Sequence, residues 1–545
     1  MTGGELLVAC LAEQGVKRVF CVPGESYLAV LDALYDADIR SIVARQEGGA
    51  AMMAEADGKL SGRPGVCFVT RGPGATNAAA GVHVAQQDST PMILFVGQIA
   101  RGHSGRDAFQ EVDYRQMFGG IAKRVEQIED AARIPEILSR AWHVAMSGRP
   151  GPVVIALPED MLRDAVDLPP ARRVEVSEAA PSEVQMEWLA SLLAMSARPF
   201  LIAGGSRWNP EAARALRMFA ERWMLPVGVS FRRQQLFDHE HFCYAGDVGL
   251  GINPRLKARV EESDLLILLG GRFSENPSQG FTLLASPNPE QRIVHVHPGP
   301  EELGRIYAPN LAVNATPGGF LTRALELEAP DSLPWASEPE AAHVDYRAWT
   351  DTAPEAPGAV TLGHVMTHVR SVLGPDAIMT NGAGNFAGWL HRFHRFRRYG
   401  TQVAPTSGSM GYGLPAAIAA KLAYPKREVV CLAGDGDLQM TMQEIGTAMQ
   451  EEAAIIVLVA DNGQYGTIRM HQERDYPGRQ SATRLVNPDF AALAESYGAH
   501  GEKVECDADF AAAFDRARNA GRCAILHLPL DPNAIAPGRN LGATA

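Results

Sequence analysis

The sequence predicts an α/β protein with three doubly wound, parallel-sheet domains. Short apolar runs without a helical period, such as residues 65–70, 264–269 and 428–433, alternate with segments of helical apolar spacing. Runs of this kind are typical of strands that are buried on both faces, as in parallel sheets. The chain also has 545 residues, which is too many for a single hydrophobic core.

Two passages of low periodicity divide the chain. Residues 165–185 are polar and Pro-rich, and residues 329–358 are rich in Pro, Glu, Ala and Ser. The second passage is typical of a linker that crosses a protein surface. The predicted domains are therefore residues 1–165, 185–328 and 360–532.

Apolar spacing predicts the individual elements, with a period of 3.6 residues for helices and continuous runs for strands. In the first domain the predicted helices are 4–14, 27–35 and 47–60, and the predicted strands are 16–22, 41–44, 65–70, 92–96 and 153–157. In the second domain, strands are predicted at 199–205, 264–271 and 292–296. In the third domain, strands at 428–433 and 453–460 flank a predicted helix over 440–451.

Composition narrows the classes of function. The chain is 46% hydrophobic and 21% charged, as is usual for soluble globular proteins, and its formal net charge of -13 argues against nucleic acid as the main partner. No apolar stretch reaches 18 residues, so no membrane span is expected. The seven cysteines form no CxxC pair and the start of the chain resembles no signal peptide. We therefore expect a cytoplasmic protein with reduced thiols.

The most informative chemistry lies at the ends of two predicted strands in the third domain. Asp435 follows one strand, within Gly-Asp-Gly-Asp, and Asn462 follows the next. Because parallel strands end at the same edge of a sheet, these side chains should lie close together. Carboxylate and amide oxygens suit Mg²⁺, which usually keeps substrate phosphates as ligands. The pattern predicts a magnesium-diphosphate site, and the alternative for Asp435 is an N-cap on the following helix.

This Gly-Asp-Gly…Asn segment, together with Arg45-Gln46-Glu47-Gly48-Gly49-Ala50 in the first domain, resembles thiamine-diphosphate enzymes of the acetolactate synthase, pyruvate oxidase and pyruvate decarboxylase superfamily. The resemblance covers essentially the whole chain and is strongest to acetolactate synthase large subunits. It implies a pyrimidine-binding, a central and a diphosphate-binding domain. It also implies thiamine diphosphate and Mg²⁺ as cofactors.

The resemblance assigns the ligands of both cofactors. The implied metal ligands are Asp435, Asn462 and the backbone carbonyl of Gln464. The positions implied at the diphosphate are Gly384, Asn385, Gly436, Asp437 and Gly466, with Asn385 replacing the family's Gln.

Met410, in Gly408-Ser409-Met410-Gly411, matches the apolar side chain that bends the cofactor into a V shape in the family. The carbonyl of Gly408 would accept a hydrogen bond from the pyrimidine amine. A methionine packed in the core is the alternative.

Glu47 matches the family's indispensable carboxylate, which binds a pyrimidine ring nitrogen and thereby promotes loss of the thiazolium proton. Its alternative is a favourable acid in a first helical turn. Gln46 stands where the family usually has His.

Three further residues bear on the reaction. Gln110 lies in Asp107-Ala108-Phe109-Gln110-Glu111, which resembles the acetolactate synthase segment that lines the reacting centre, and its amide would stabilise a developing alkoxide. Glu25 resembles the acid of pyruvate decarboxylases that transfers protons. His471 replaces the acceptor-selecting Trp of acetolactate synthases.

The predicted function is decarboxylation of a pyruvate-like 2-oxo acid followed by carboligation to a second carbonyl. A non-oxidative decarboxylase or carbon–carbon lyase, with Glu25 as proton donor, is the alternative. FAD is possible but not favoured, because His297 stands where flavin-binding relatives carry Asp. The resemblance implies a homodimer or homotetramer, since the first and third domains both contribute to the site.

Overall fold

The computed structural model describes residues 1–541. It contains three six-stranded sheets in which all paired strands run parallel, and one small antiparallel hairpin. Each large sheet lies within one of the predicted domains, so the predicted fold class is confirmed.

The first sheet has the strand order β2-β1-β3-β4-β6-β5. Its strands are β1 Arg18–Cys21, β2 Arg40–Val43, β3 Gly65–Val69, β4 Met92–Gln98, β5 Arg124–Gln127 and β6 Pro152–Pro158. Its helices are α1 Gly3–Glu13, α2 Leu28–Tyr35, α3 Glu47–Ser61, α4 Gly72–Asp88, α5 Tyr114–Phe118 and α6 Ile134–Met146. β3, β4 and β6 are buried along their whole length, which explains their continuous apolar sequences.

The second sheet has a different order, β12-β11-β10-β7-β8-β9, which is the order of dinucleotide-binding folds. Its strands are β7 Pro199–Ala203, β8 Val227–Ser230, β9 Tyr244–Val248, β10 Leu265–Leu269, β11 Arg292–His297 and β12 Leu311–Asn314. The helices of this part of the chain are α7 Glu183–Ala194, α8 Pro210–Arg222, α9 Pro254–Glu261, α10 Pro317–Ala324 and α11 Glu338–Thr350.

The third sheet repeats the topology of the first, with the order β14-β13-β15-β16-β18-β17. Its strands are β13 Ile378–Asn381, β14 Gln402–Val403, β15 Val429–Gly434, β16 Ile456–Asp461, β17 His500–Lys503 and β18 Ala524–Pro529, and the hairpin is β19 Ala534–Ala536 with β20 Arg539–Asn540. Its helices are α12 Leu362–Val372, α13 Ala387–Phe393, α14 Gly413–Ala423, α15 Asp435–Leu438, α16 Ile445–Gln450, α17 Gly466–Asp475, α18 Phe490–Ser496 and α19 Asp507–Asn519.

Two predicted segments differ from the structure. The helix predicted over 440–451 is interrupted, because Thr441 Oγ1 donates to the carbonyl of Gly411 (2.7 Å), and α16 begins only at Ile445. The passage predicted as a linker over 329–358 contains α11, in which Tyr346 is buried and Asp345 pairs with Arg259 (2.8 Å). The sequence of α11 is rich in charged residues, which is why it resembles a linker. In the structure, charged residues such as Asp345 are paired with other parts of the chain.

The first and third domains share one hydrophobic core. Ala50 and Met53 of α3 and Ala416 and Ala419 of α14 belong to the same buried cluster. Small side chains let the backbones of such helices approach closely, so that a large contact forms between the two domains.

A buried carboxylate fixes the same contact at the start of α3. Glu444 is fully buried and accepts hydrogen bonds from the backbone N–H groups of Arg45 (3.2 Å) and Gln46 (3.0 Å) and from Thr447 Oγ1 (2.6 Å). A Cβ at Gly49 would lie 2.6 Å from Glu444 Oε1, so this position requires glycine. Glu444 therefore ties the N-terminus of α3 to the third domain.

Two global features accompany this fold. Within residues 1–541, none of the helices combines the length and the apolarity that crossing a membrane requires. All seven cysteines lie in this range; each is a free thiol, and six of them are buried.

We expect Glu444→Ala to lower the free energy of unfolding by about 3 kcal/mol, because three hydrogen bonds to a buried carboxylate are lost and two backbone N–H groups stay unpaired. The midpoint of thermal unfolding measures the change. Glu505→Ala, at an exposed carboxylate that pairs only with Lys503, is the control and should shift the midpoint little. Equal shifts for the two variants would contradict the bracing role of Glu444.

Candidate active site

The carboxyl ends of β15 and β16 bring together the residues predicted to bind metal. Gly434 and Ala460 are partners in the sheet, so Asp435 and Asp461 lie next to each other. Asn487 Nδ2 donates to Asp435 Oδ2 and to Asp461 Oδ1, at 2.7 Å each. Asn487 was not predicted from the sequence, because it lies in an irregular segment far along the chain.

The two carboxylates have different electrostatic surroundings. Burial raises the pKa of Asp435 to about 6, and the neighbouring Asp461 contributes to the shift. Burial alone would also raise the pKa of Asp461, but hydrogen bonds from His527 and Asn487 lower it below its usual value. His527 Nε2 lies 2.9 Å from Asp461 Oδ2. The carboxylate of Asp461 therefore places a negative charge next to Asp435 at this edge of the sheet.

Asn462 and Gln464 follow β16 in a tight turn. The backbone N–H of Gln464 donates to Asn462 Oδ1 (3.3 Å), and the Gln464 side chain is buried, with Nε2 donating to the carbonyl of Pro532 (2.6 Å). A Cβ at Gly466 would lie 2.9 Å from Asn462 Nδ2. Glycine at this position therefore leaves room for the Asn462 amide.

Asp437 joins two loops at the same edge. It is buried, and its Oδ1 accepts hydrogen bonds from the backbone N–H groups of Ala383 (3.0 Å) and Gly411 (2.8 Å). Burial raises its pKa to about 6, and Oδ2 has no hydrogen-bond partner within residues 1–541. Asp437 therefore holds the loops of Ala383 and Gly411 together. A contact between Asp437 and the diphosphate stays a prediction.

Met410 lies in the turn that Asp437 braces. Gly408 has a φ of 70°, a conformation that favours glycine, and a Cβ there would meet nothing within 4 Å. Met410 is half-buried and is absent from the hydrophobic clusters of the described residues. The buried carboxylate of Asp88, from the first domain, accepts from the backbone N–H of Thr406 (2.7 Å) and so holds the start of this segment.

The loop after β13 is tied to α17. The backbone N–H of Asn385 donates to Thr467 Oγ1 (3.0 Å), and Asn385 Nδ2 donates to Met470 Sδ (3.4 Å). Gly384 precedes this contact in the loop. Gly436 faces the ring of Tyr465, where a Cβ would lie 2.7 Å from Cε1. Gly384 and Gly436 therefore lie at the same edge of the third sheet, after β13 and β15.

Glu47 lies at the matching edge of the first sheet, after β2. It is the first residue of α3, is half-buried, and accepts a hydrogen bond from Asn77 Nδ2 (2.8 Å). Both sequence interpretations of Glu47 are compatible with this position, since it is a first-turn acid at a sheet edge that also holds other polar side chains.

Glu25 has a partner that the sequence did not indicate. The buried guanidinium of Arg71, which follows β3, lies 3.4 Å from Glu25 and 2.5 Å from Glu159. Gln110 is close to Arg71 in the fold, because the carbonyl of Gln110 accepts a hydrogen bond from the backbone N–H of Gly72 (3.2 Å). Its φ is 65°, and the carboxylate of Glu111 stabilises the loop by accepting from the backbone N–H groups of Gly105 and Ala108.

The predicted residues thus form two groups within one chain. No hydrogen bond or ion pair in residues 1–541 joins Glu25, Glu47 or Gln110 to Asp435 or Asn462. Exposed apolar side chains accompany both groups. They are Phe109 (73% exposed) in the first domain and Ile468 (52%) and Val486 (88%) in the third.

Two further observations concern cofactors. His297, at the end of β11, is buried, and its Nδ1 accepts from the backbone N–H of Gly299 (3.0 Å). The expectation that FAD is not favoured stays a prediction. Residues 1–541 contain no cluster of three or more His, Cys, Asp and Glu that could hold a metal. A site with one carboxylate, an amide oxygen and a carbonyl forms no such cluster.

Three family models match the chain, one for each sheet. Residues 1–117 match "Thiamine pyrophosphate enzyme, N-terminal TPP binding domain". Residues 186–324 match the central domain of the same family, and residues 382–528 match its C-terminal TPP binding domain.

Curated relatives are similar over nearly the whole chain. The acetolactate synthase large subunit of Parasynechococcus marenigrum is 34% identical, over 92% of this chain and 83% of the relative. The acetolactate synthase isozyme 2 large subunit of Escherichia coli is 30% identical, over 97% and 96%. A probable acetolactate synthase large subunit of Methanocaldococcus jannaschii is 31% identical, over 98% and 93%. The chain therefore belongs to the thiamine pyrophosphate enzymes and is similar, along almost its entire length, to acetolactate synthase large subunits.

Proposed function

We propose that this protein is a thiamine-diphosphate-dependent carboligase, which decarboxylates a pyruvate-like 2-oxo acid and joins the remaining acyl unit to a second carbonyl. The observation that carries the proposal is the pairing of β15 with β16, which brings Asp435 and Asn462 to one sheet edge, in a chain similar to acetolactate synthases. Bound thiamine diphosphate supplies the electron sink that loss of CO₂ requires.

The residues present fit the cofactor. Asp435 and Asn462 supply hard oxygen atoms, and the like charges of Asp435 and Asp461 favour a bound cation such as Mg²⁺. Gly384, Gly436 and Gly466 lie at this edge, where neighbouring side chains leave no room for a Cβ, and α17 begins there with the free N–H groups of a helix N-terminus. We assign the diphosphate and its metal to this position, with the Gln464 carbonyl as the third protein ligand.

Glu47 is assigned to proton transfer at the pyrimidine ring nitrogen of the cofactor. Its carboxylate stands at a sheet edge and is oriented by Asn77. Gln110 is assigned to the acceptor, because its loop is stabilised by Glu111 and its position is fixed by the bond to Gly72. Met410 is assigned to contact between the cofactor rings, since it is half-buried in a braced turn.

A complete site then needs two copies of the chain. The groups around Glu47 and around Asp435 are not joined within one chain, and both are flanked by exposed apolar side chains. A second copy, placed so that its third domain faces the first domain of its partner, would cover both. We therefore propose a homodimer or a dimer of dimers. We also infer a cytoplasmic location, which is supported by seven free thiols.

Incubation with pyruvate, thiamine diphosphate and Mg²⁺ tests the reaction. We expect acetolactate, which gives acetoin after acid treatment, because the acyl unit is transferred to a second carbonyl. Mass spectrometry of the products over a panel of 2-oxo acids and aldehydes identifies donor and acceptor. Free acetaldehyde as the main product would favour the decarboxylase alternative, with Glu25 as proton donor.

We expect Glu47→Gln to lower the rate of cofactor C2-proton exchange by at least about 100-fold, which is the usual contribution of a positioned acid or base. Exchange is followed by NMR in deuterated buffer. Because the substitution is isosteric, cofactor affinity measured by calorimetry should change little. Glu13→Gln, at the end of α1 and far from this edge, is the control. An unchanged exchange rate in Glu47→Gln would contradict the assigned role.

Mixing two inactive variants tests the two-chain site. We expect Glu47→Gln and Asp435→Asn each to be inactive alone, the second through loss of metal and diphosphate binding. Dissociated and reassociated together, they form hybrid dimers in which one site has both residues intact, so activity should return to about a quarter of wild type if chains pair at random. No recovery, despite hybrid formation seen by native mass spectrometry, would contradict a site shared between chains.

A further inference from the structure

Positive charge is concentrated in one short segment of this acidic chain. Residues 391–398 read His-Arg-Phe-His-Arg-Phe-Arg-Arg, whereas the whole chain has a formal net charge of -13. The segment begins in α13 and continues toward β14. It lies between the second and third domains, where His239 donates its backbone N–H to the carbonyl of Phe396 (3.0 Å).

Two adjoining cavities open onto this segment. The first has a volume of about 450 Å³ and lies between the segment, α11 and α12; the second, of about 500 Å³, lies against α8. Both are lined by Pro375 and Arg397, and we call them together the basic cleft. Seven arginines and three carboxylates line the basic cleft. Its volume is in the range of sites for small metabolites.

The basic cleft is separate from the proposed active site. Residues 373–377 of its wall lead into the start of β13, and Thr401 immediately precedes β14. The cleft therefore lies at the amino ends of these strands. Asp435 and Asn462 lie beyond the carboxyl ends of the neighbouring strands in the same sheet.

Arg370 is the cation of the cleft that lacks an anionic partner. Its guanidinium donates only to the backbone carbonyls of Thr350 (3.1 Å), Phe393 (3.4 Å) and Asp351 (3.4 Å), and it forms no ion pair within residues 1–541. Burial, together with the nearby charge of Arg395, lowers the pKa of Arg370. A half-buried guanidinium of this kind is stabilised by an anion.

His394 supplies a second, independent indication. Its side chain lines the first cavity and is only 7% exposed, yet Nδ1 has no hydrogen-bond partner within residues 1–541. Arg395 Nε is likewise buried without a partner, although its terminal nitrogens pair with Glu240 and Asp351. Two buried nitrogens of residues in the cavity wall therefore lack a hydrogen-bond partner within residues 1–541.

All three carboxylates of the cleft are paired with arginines of its wall, Asp238 with Arg397 at 3.7 Å. Glu240 pairs with Arg395 (2.6 Å) and Arg347 (2.9 Å), and Asp351 pairs with the same two arginines. Neither carboxylate forms an ion pair with Arg370, although the charges of both raise its pKa and partly offset its burial.

We propose that the basic cleft binds a small phosphate-bearing metabolite, with its phosphate at Arg370, His394 and Arg395. Guanidinium groups bind phosphate through charge-assisted, geometrically specific hydrogen bonds. The second cavity, with arginines on α8 and on the 391–398 segment, accommodates the remainder of the ligand.

Calorimetric titration of the protein, saturated with thiamine diphosphate and Mg²⁺ so that the diphosphate site is filled, tests this proposal. The probes are inorganic phosphate, glucose 6-phosphate and ATP, with glucose as the uncharged comparison. We expect saturable binding of at least one phosphate compound and none of glucose. Binding should weaken by about tenfold or more in Arg370→Gln, which corresponds to about 1.4 kcal/mol for one charge-assisted contact.

Arg133→Gln, which removes an exposed arginine paired with Glu136 on α6, is the matched control and should bind as wild type does. His394→Asn and Arg397→Gln keep the proposal testable if Arg370→Gln does not fold. Absence of binding by all three phosphate probes would overturn the proposal. So would binding that Arg370→Gln, His394→Asn and Arg397→Gln leave unchanged, or a crystal structure in which an acidic segment of another chain fills the cleft.

Discussion

The contact between Glu444 and the start of α3 is the interaction on which the arrangement of the first and third domains depends. A fully buried carboxylate is unfavourable by itself, and burial raises the pKa of Glu444. Hydrogen bonds from two backbone N–H groups and from Thr447 offset this cost. Because Glu47 follows Gln46 directly, the acid assigned to catalysis is placed by a residue of the third domain in the same chain.

A second buried carboxylate, in the first domain, holds a backbone segment of the third domain. Asp88 of the first domain is paired with Lys59 and accepts hydrogen bonds from Thr406, which leads into the turn of Met410. The pKa of Asp88 is lowered: burial would raise it, but the charges of Lys59 and Arg233, together with hydrogen bonds from Lys59 and Thr406, outweigh burial. Each domain therefore positions a segment of the other that carries a proposed site residue. Such paired charges lose much of their value if one partner is removed, since the other stays buried.

Much of this arrangement was predictable, for physical reasons. β3, β4, β15 and β16 are buried on both faces, so their sequences are continuous apolar runs. β15 and β16 end immediately before Asp435 and Asn462, which is why the sequence predicted that these two residues lie close together. The edge strand β5 was missed because all four of its residues are half-buried, and no apolar run results.

Other features depend on contacts between distant parts of the chain and leave no local pattern. Asn487 reaches Asp435 and Asp461 from an irregular segment, and Arg71 reaches Glu25 and Glu159 across the ends of three strands. The helix α11 was assigned to a linker because its sequence is rich in charged residues, which pair with distant parts of the chain, as Asp345 does with Arg259 of α9. The apolar periodicity of a sequence indicates which residues are buried, but it does not indicate which side chains contact each other.

The contact of Glu444 with α3 also bears on how the two sites of the proposed dimer are connected. In one chain, the segment from Asp435 to Glu444 begins at the proposed metal position of the third domain and ends at the helix that carries Glu47. If each site combines Glu47 of one copy with Asp435 of the other, this segment contacts both sites of the dimer. A displacement of Asp435 on metal binding would then be transmitted through this short segment, which is buried at both ends, to the acid of the second site. The physical basis is the fully buried carboxylate of Glu444, which has no room to move independently of α3.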